Sequence, residues 1–149
     1  MLVDSQTKQL TVPEIIAIAT KETKSEYPAP AVLASIAAEL QQPETYSILE
    51  GNTLFIIHKG QGRNGMFRAL NADTPQNYLN NSLVFAGAAY KLGFDNIITQ
   101  FKEPSLLNIF RFVEKNREQV NPNMGFNVRK AENGDFVVSV KLGPERAGE

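Results

Sequence analysis

His58 is the single histidine of this 149-residue chain, and it closes the apolar run Thr53-Leu54-Phe55-Ile56-Ile57-His58. An imidazole suits general acid–base work near neutral pH, provided that a pocket and an orienting partner surround it. At the end of a strand pattern, with neither visible, it reads first as a surface or packing residue. Glu103 and Asn108 are two further candidates for catalysis. Glu103 follows the run Asn96–Phe101, at a strand end of the kind where α/β sheets gather functional groups. Asn108 lies in the helical segment that comes next. Both read more readily as structural, because no companion group is spaced to work with them.

Two segments could bind rather than react. Gly60-Gln61-Gly62-Arg63-Asn64-Gly65 holds three glycines and an arginine, as an anion cradle would. It precedes a strand, whereas a phosphate loop opens a helix, so a hairpin connection is the simpler reading. Asn71, Gln76, Asn77, Asn80 and Asn81 crowd amides around a helix start that also carries Tyr78. Caps and solvated turns account for most of these. An uncharged polar patch also suits a protein contact, since many hydrogen bonds form there without burying charge. Arg63, Asn77, Tyr78 and Asn81 are therefore the expected protein-binding residues.

Composition removes several other chemistries. The chain has no cysteine, which excludes disulfides, thiolate zinc sites and a cysteine nucleophile. One histidine excludes a multi-histidine metal centre, so no metal is expected. Lys and Arg number 15 against 16 Asp and Glu, too even a balance for nucleic-acid binding by bulk charge. No apolar run approaches the roughly 20 residues of a membrane span. Met1–Gln9 lacks the basic and apolar regions of a targeting segment. A cytoplasmic location is expected.

These residues need a scaffold. Thr11-Val12-Pro13-Glu14 predicts a helix start, with Ile15, Ile16, Ala19 and Thr23 at helical spacing. Pro28-Ala29-Pro30 ends that helix and opens a second, striped by Val32, Leu33, Ile36, Ala37 and Leu40 and closed by Pro43. The period then changes to two. Strands are predicted at Tyr46–Leu49, Thr53–His58 and Met66–Leu70, the last two adjacent and antiparallel. A long helix spans Gln76–Lys91, with Leu79, Leu83, Ala86 and Tyr90 on one face and Gly93 as its stop. Then come a strand at Asn96–Phe101, parallel to Met66–Leu70, a helix at Leu106–Glu118, and a hairpin of Phe126–Lys130 and Asp135–Leu142. A short strand at Leu2–Leu10 would precede all of this. The fold class is α/β: one domain over residues 1–142, a mixed central sheet with helices on both faces, and a polar tail from Gly143.

That element order resembles the GCN5-related N-acetyltransferases, and Lys91-Leu92-Gly93-Phe94 and Met124-Gly125-Phe126 add local support. The resemblance implies an acyl-CoA N-acyltransferase-like fold and an acyl-CoA diphosphate held by a Gln/Arg-x-x-Gly-x-Gly/Ala loop between the central strand and the long helix. Here that junction, Asn71–Asn81, has no glycine, carries Asp73, and includes Pro75, which has no N–H. The family's usual tyrosine acid is not matched in the last helix, where Phe110 and Phe112 stand, although Asn108 falls where members often carry an asparagine. The reading is accordingly a non-catalytic domain that needs no cofactor and binds other protein subunits or itself. A looser similarity to acetyltransferase-like proteins of tailed bacteriophages places it in a virion or the host cytoplasm. The alternative is an N-acetyltransferase that uses acetyl-CoA to acetylate an amine. A small-ligand sensor on the same scaffold is the third class.

Overall fold

The computed structural model describes residues 9–22 and 26–144. The predicted strand at Leu2–Leu10, Thr23 of the first helical face and residues 145–149 of the polar tail lie wholly or largely outside them. The first helix, α1 (Val12–Glu22), starts with a reciprocal cap. The Thr11 N–H donates to Glu14 Oε1 (2.8 Å), and the Glu14 N–H donates to Thr11 Oγ1 (3.3 Å). Helix α2 (Ala29–Glu39) follows, with proline in its first turn. Next come β1 (Thr45–Glu50), β2 (Thr53–Lys59), β3 (Asn64–Asn71), α3 (Pro75–Lys91), β4 (Asn96–Phe101), α4 (Leu107–Lys115), β5 (Gly125–Lys130) and β6 (Phe136–Lys141).

The six strands form one mixed sheet in the order β1-β2-β3-β4-β6-β5. Neighbours are antiparallel except β3 and β4, which are parallel. Strand β2 is central to its half and buried on both faces, so its side chains divide by pleat. Phe55 and Ile57 enter one core with Phe85, Ala89 and Ile97 beneath α3. Leu54 and Ile56 enter another with Ile15, Ile16 and Ile36 beneath α1 and α2. Helices thus cover both faces, as the alternation of apolar runs and helical stripes implies. Among the described residues no helix is long and apolar enough to cross a membrane.

Two predicted elements differ in detail. The segment expected as one helix over Leu106–Glu118 is α4 flanked by single 3-10 turns at Pro104–Leu106 and Arg117–Gln119. Asn116 ends it: its side-chain Nδ2 donates to the Phe112 carbonyl (2.8 Å), and its backbone leaves helical values at φ −106° and ψ 17°. The domain also continues past residue 142. Gly143 is buried, and a side chain there would collide with Asn121 and Tyr90 at 2.6–2.7 Å.

Candidate functional site

The sheet carries a split. Strands β3 and β4 pair only where Asn64–Met66 face Asn96–Ile98. Strand β3 stays bonded to β2 as far as Asn71, and β4 to β6 as far as Phe101. Beyond Met66 and Ile98 the two strands therefore diverge, each keeping one paired side and turning the other toward the gap. Aromatic rings occupy the base of the gap. Phe110 of α4 lies 6.5 Å from Phe67 of β3 and stacks at 5.7 Å on Phe101 of β4, so one ring touches both departing strands. These rings line a chamber of about 190 Å3 together with Phe85, Ala86 and Val113, and with the polar Arg68, Thr99 and Gln100. It adjoins a wider cleft of about 1330 Å3 that runs from Tyr27 and Val32 past Asn71 and Pro75 to Asn108.

Tyr78 lines both spaces. It lies in the second turn of α3, and its backbone carbonyl accepts from Ser82 Oγ (2.9 Å). Burial pushes its phenol up to about 12, so across the physiological range it is a neutral hydroxyl that can donate. Asp73, just before α3, is held from behind. Its carboxylate accepts from the Asn52 N–H (2.7 Å) and from Asn81 Nδ2 (2.7 Å). Asn81 also donates to Thr53 Oγ1 (3.0 Å), and Thr53 donates to Asn71 Oδ1 (2.7 Å). Gly51 fits against this network because its φ is +54° and any side chain there would meet Asp73 Oδ2 at 2.8 Å. The start of α3 is thereby welded to the β1–β2 turn.

The residues singled out in the sequence are distributed over several places. His58 lies on the α1/α2 face, away from the split. Its Nε2 bonds Glu39 at the end of α2, and its Nδ1 pairs with Thr45 Oγ1 at 3.0 Å. Arg68 holds the other oxygen of Glu39. Burial works to raise the Glu39 carboxyl, but the His58 hydrogen bond and the charge and hydrogen bond of Arg68 outweigh it and hold it below its ordinary value. Glu103 is exposed at the start of the turn before α4 and lines neither space. Asn108 does line the cleft and accepts from Arg111 (3.3 Å). Arg63 donates to the Gly93 carbonyl (3.3 Å) and faces Asp95 (3.9 Å), so it clamps the hairpin loop to the α3–β4 turn.

Among the expected protein-binding residues, Asn81 is committed inside the Asp73 network and Tyr78 is half-buried rather than at an exposed edge. The Asn77 N–H is taken by Thr74 Oγ1 (3.3 Å). Arg63 sits at the far end of β3 from the other three, roughly 23 Å away at about 3.3 Å per strand residue. The four do not share one small patch. The sequence reading missed Glu39 and Thr45 as partners of His58.

The fold recurs in solved structures. An aminoglycoside 6'-acetyltransferase of type Ii superposes with a TM-score of 0.60, over 93% of this chain and 98% of that one, at 11% identity. The fold is that of the GCN5-related N-acetyltransferases. A Bacillus subtilis acetyltransferase, solved with CoA, gives a TM-score of 0.54 over 89% of this chain and 93% of its own, at 13% identity. The ribosomal-protein-S18-alanine N-acetyltransferase of Escherichia coli gives 0.53 over 95% and 96%, at 9% identity. At such identities the likeness to these N-acetyltransferases is one of fold. No family model and no curated protein matches the chain by sequence.

Proposed function

We propose that the chain is an N-acetyltransferase-type enzyme that moves an acyl group from an acyl-CoA to an amine, with the split between β3 and β4 as its donor site. The observation that carries this reading is the split itself. Two parallel strands that part after three pairs offer unpaired backbone edges to an extended, amide-bearing arm. The ring-lined chamber at the base offers dry surroundings to what the arm carries. Acetyl-CoA, when bound, supplies a thioester from which the acyl group passes to the amine nitrogen while the amine's proton passes to sulfur. Phe67, Phe101 and Phe110 exclude water from the end of the arm. Tyr78 keeps a proton on Oη and is the candidate to donate it where negative charge develops. The wider cleft, with Tyr27 and Asn108, is left for the amine.

The residues fit the arm better than the diphosphate. The N-terminus of α3 turns its dipole toward that end, but Pro75 lacks a donor and Thr74 takes the Asn77 N–H. That observation favours a second reading, a non-catalytic domain that binds other protein subunits or a second copy of itself. A place in a phage particle is its narrower form, and none of the three matched proteins lends it support. Calorimetric titration with acetyl-CoA separates the two readings. A one-to-one isotherm, with a melting temperature that rises with ligand, is expected. No heat and no shift at millimolar ligand would turn the assignment to the binding module, whose mark is a defined oligomer or complex on size exclusion.

A further inference from the structure

Arg68, Ala69, Tyr78, Leu106 and Ile109 border both the chamber and the wider cleft. A donor lying in the split and an amine entering by the cleft meet among them. Two of these residues are polar, Tyr78 and Arg68, and among the described residues Arg68 is the only cation that lines the cleft. We infer that Arg68 selects the acceptor by a carboxylate on the carbon next to the amine, so that the acceptor is an α-amino acid rather than a plain amine. This rests on the donor site proposed above.

The Cα of Arg68 pairs with that of Ile56, whose side chain enters the core beneath α1 and α2, so the guanidinium stands on that face of β3. It is held there from behind. Its Nη2 donates to Glu39 of α2, Glu39 is bonded in turn by His58 Nε2 of β2, and His58 Nδ1 pairs with Thr45 Oγ1 of β1 at 3.0 Å. Side chains from four elements thus form one chain that ends on a guanidinium. Glu39 is shared between His58 and Arg68, so it orients the fork without filling it. Half of the Arg68 side chain stays exposed. Five N–H donors in a rigid plane match the two oxygens of a carboxylate, and one nitrogen spent on Glu39 leaves enough for a second anion. The other charged groups of the cleft leave that role to Arg68. Asp73 is committed to Asn52 and Asn81, and Glu22 is exposed to solvent at the end of α1. Val32, Leu70 and Leu79 offer the rest of the acceptor an apolar wall.

The test is titration calorimetry on the full chain saturated with CoA, using pairs of reaction products that differ only in the carboxylate. One pair is N-acetyl-leucine and N-acetyl-isopentylamine, the other N-acetyl-phenylalanine and N-acetyl-phenethylamine. We expect the carboxylate-bearing member to bind at least about 10-fold tighter in one pair or both, as a charge-assisted hydrogen bond provides. In Arg68→Gln that ratio should fall to about one while CoA itself still binds. Should the variant not fold, the methyl ester of the tighter product serves on the parent chain, where it should bind no better than the plain amide. Equal binding within both pairs, or no binding by any of the four products, with CoA bound, overturns the inference and leaves the donor site standing. A ratio unchanged in Arg68→Gln, or an ester that binds as well as the acid, overturns it also, because the carboxylate would then be read elsewhere or not at all. If CoA itself does not bind, the donor site falls and the inference with it.

Discussion

Tyr78 is where residue-level chemistry is most exposed to test. If its phenol supplies a proton in acyl transfer, Tyr78→Phe should lower kcat by roughly 100-fold with little change in KM, since the ring still fills its place. A kcat within a factor of two of the parent would remove it from the reaction. Asp73 tests the opposite kind of role. The glycine-free junction suggested a carboxylate standing where phosphate should sit, but the structure commits that carboxylate to Asn52 and Asn81. Asp73→Ala should therefore cost about 1–3 kcal/mol in a denaturant melt, by removing the acceptor of the buried Asn52 N–H. An unchanged midpoint would show the network to be idle. Glu39 sets a pH dependence. Its carboxyl is lowered in the folded chain, so its contribution is whole above the unfolded value near 4.5 and is lost as pH falls through the lower folded value. The melting temperature of Glu39→Gln should lie below the parent's near neutral pH and converge with it in that acid range. Parallel pH profiles would refute the linkage.

Elements differ in how plainly the sequence announces them. The hairpin of β2 and β3 could be read from two apolar runs around a glycine-rich loop, and it pairs Phe55 with Ala69 and His58 with Met66. The parallel strand Asn96–Phe101 and the long helix α3 were equally readable, because their periodicities are unbroken. What could not be read depends on contacts between distant segments. Gly65 looks like a loop residue, yet it belongs to β3 and is buried. A Cβ there would lie 2.9 Å from the side chains of Ile57 and Phe94. Gly65→Ala should destabilise the fold by about 1–3 kcal/mol, as overpacking does, measurable by thermal or chemical melting. A neutral result would mean that Phe94 and Ile57 yield freely. The same blindness hid the partners of His58. Glu39 and Thr45 are 19 and 13 residues upstream, on other elements, and no local pattern ties them to it. The split itself has no local sign either. The runs Met66–Leu70 and Asn96–Phe101 look like full-length neighbours, and only the pairing register, which stops at Met66 and Ile98, reveals that they part.

At the scale of the molecule, the seam of three residue pairs divides the sheet into two three-stranded halves. The division follows the chain. Helix α1 packs on β3 and β2 and α3 on β1 and β2 of the first half, α2 packs on α1, and α4 packs on β5 of the second. The halves meet through the seam, the α3–α4 contact, the rings of Phe67, Phe101 and Phe110, and the core in which Phe55 and Ile57 join Ile97, Val138 and Val140. Such a molecule is built to come apart in two steps. Native-state amide exchange should resolve two cooperative units, one on either side of residue 92, with distinct opening free energies. A ligand bonded to both strand edges would act as the missing rungs of the ladder. It would couple the two units, so that they open together and their exchange rates fall in step. Empty, the two halves should open separately; with such a ligand bound, they should open as one.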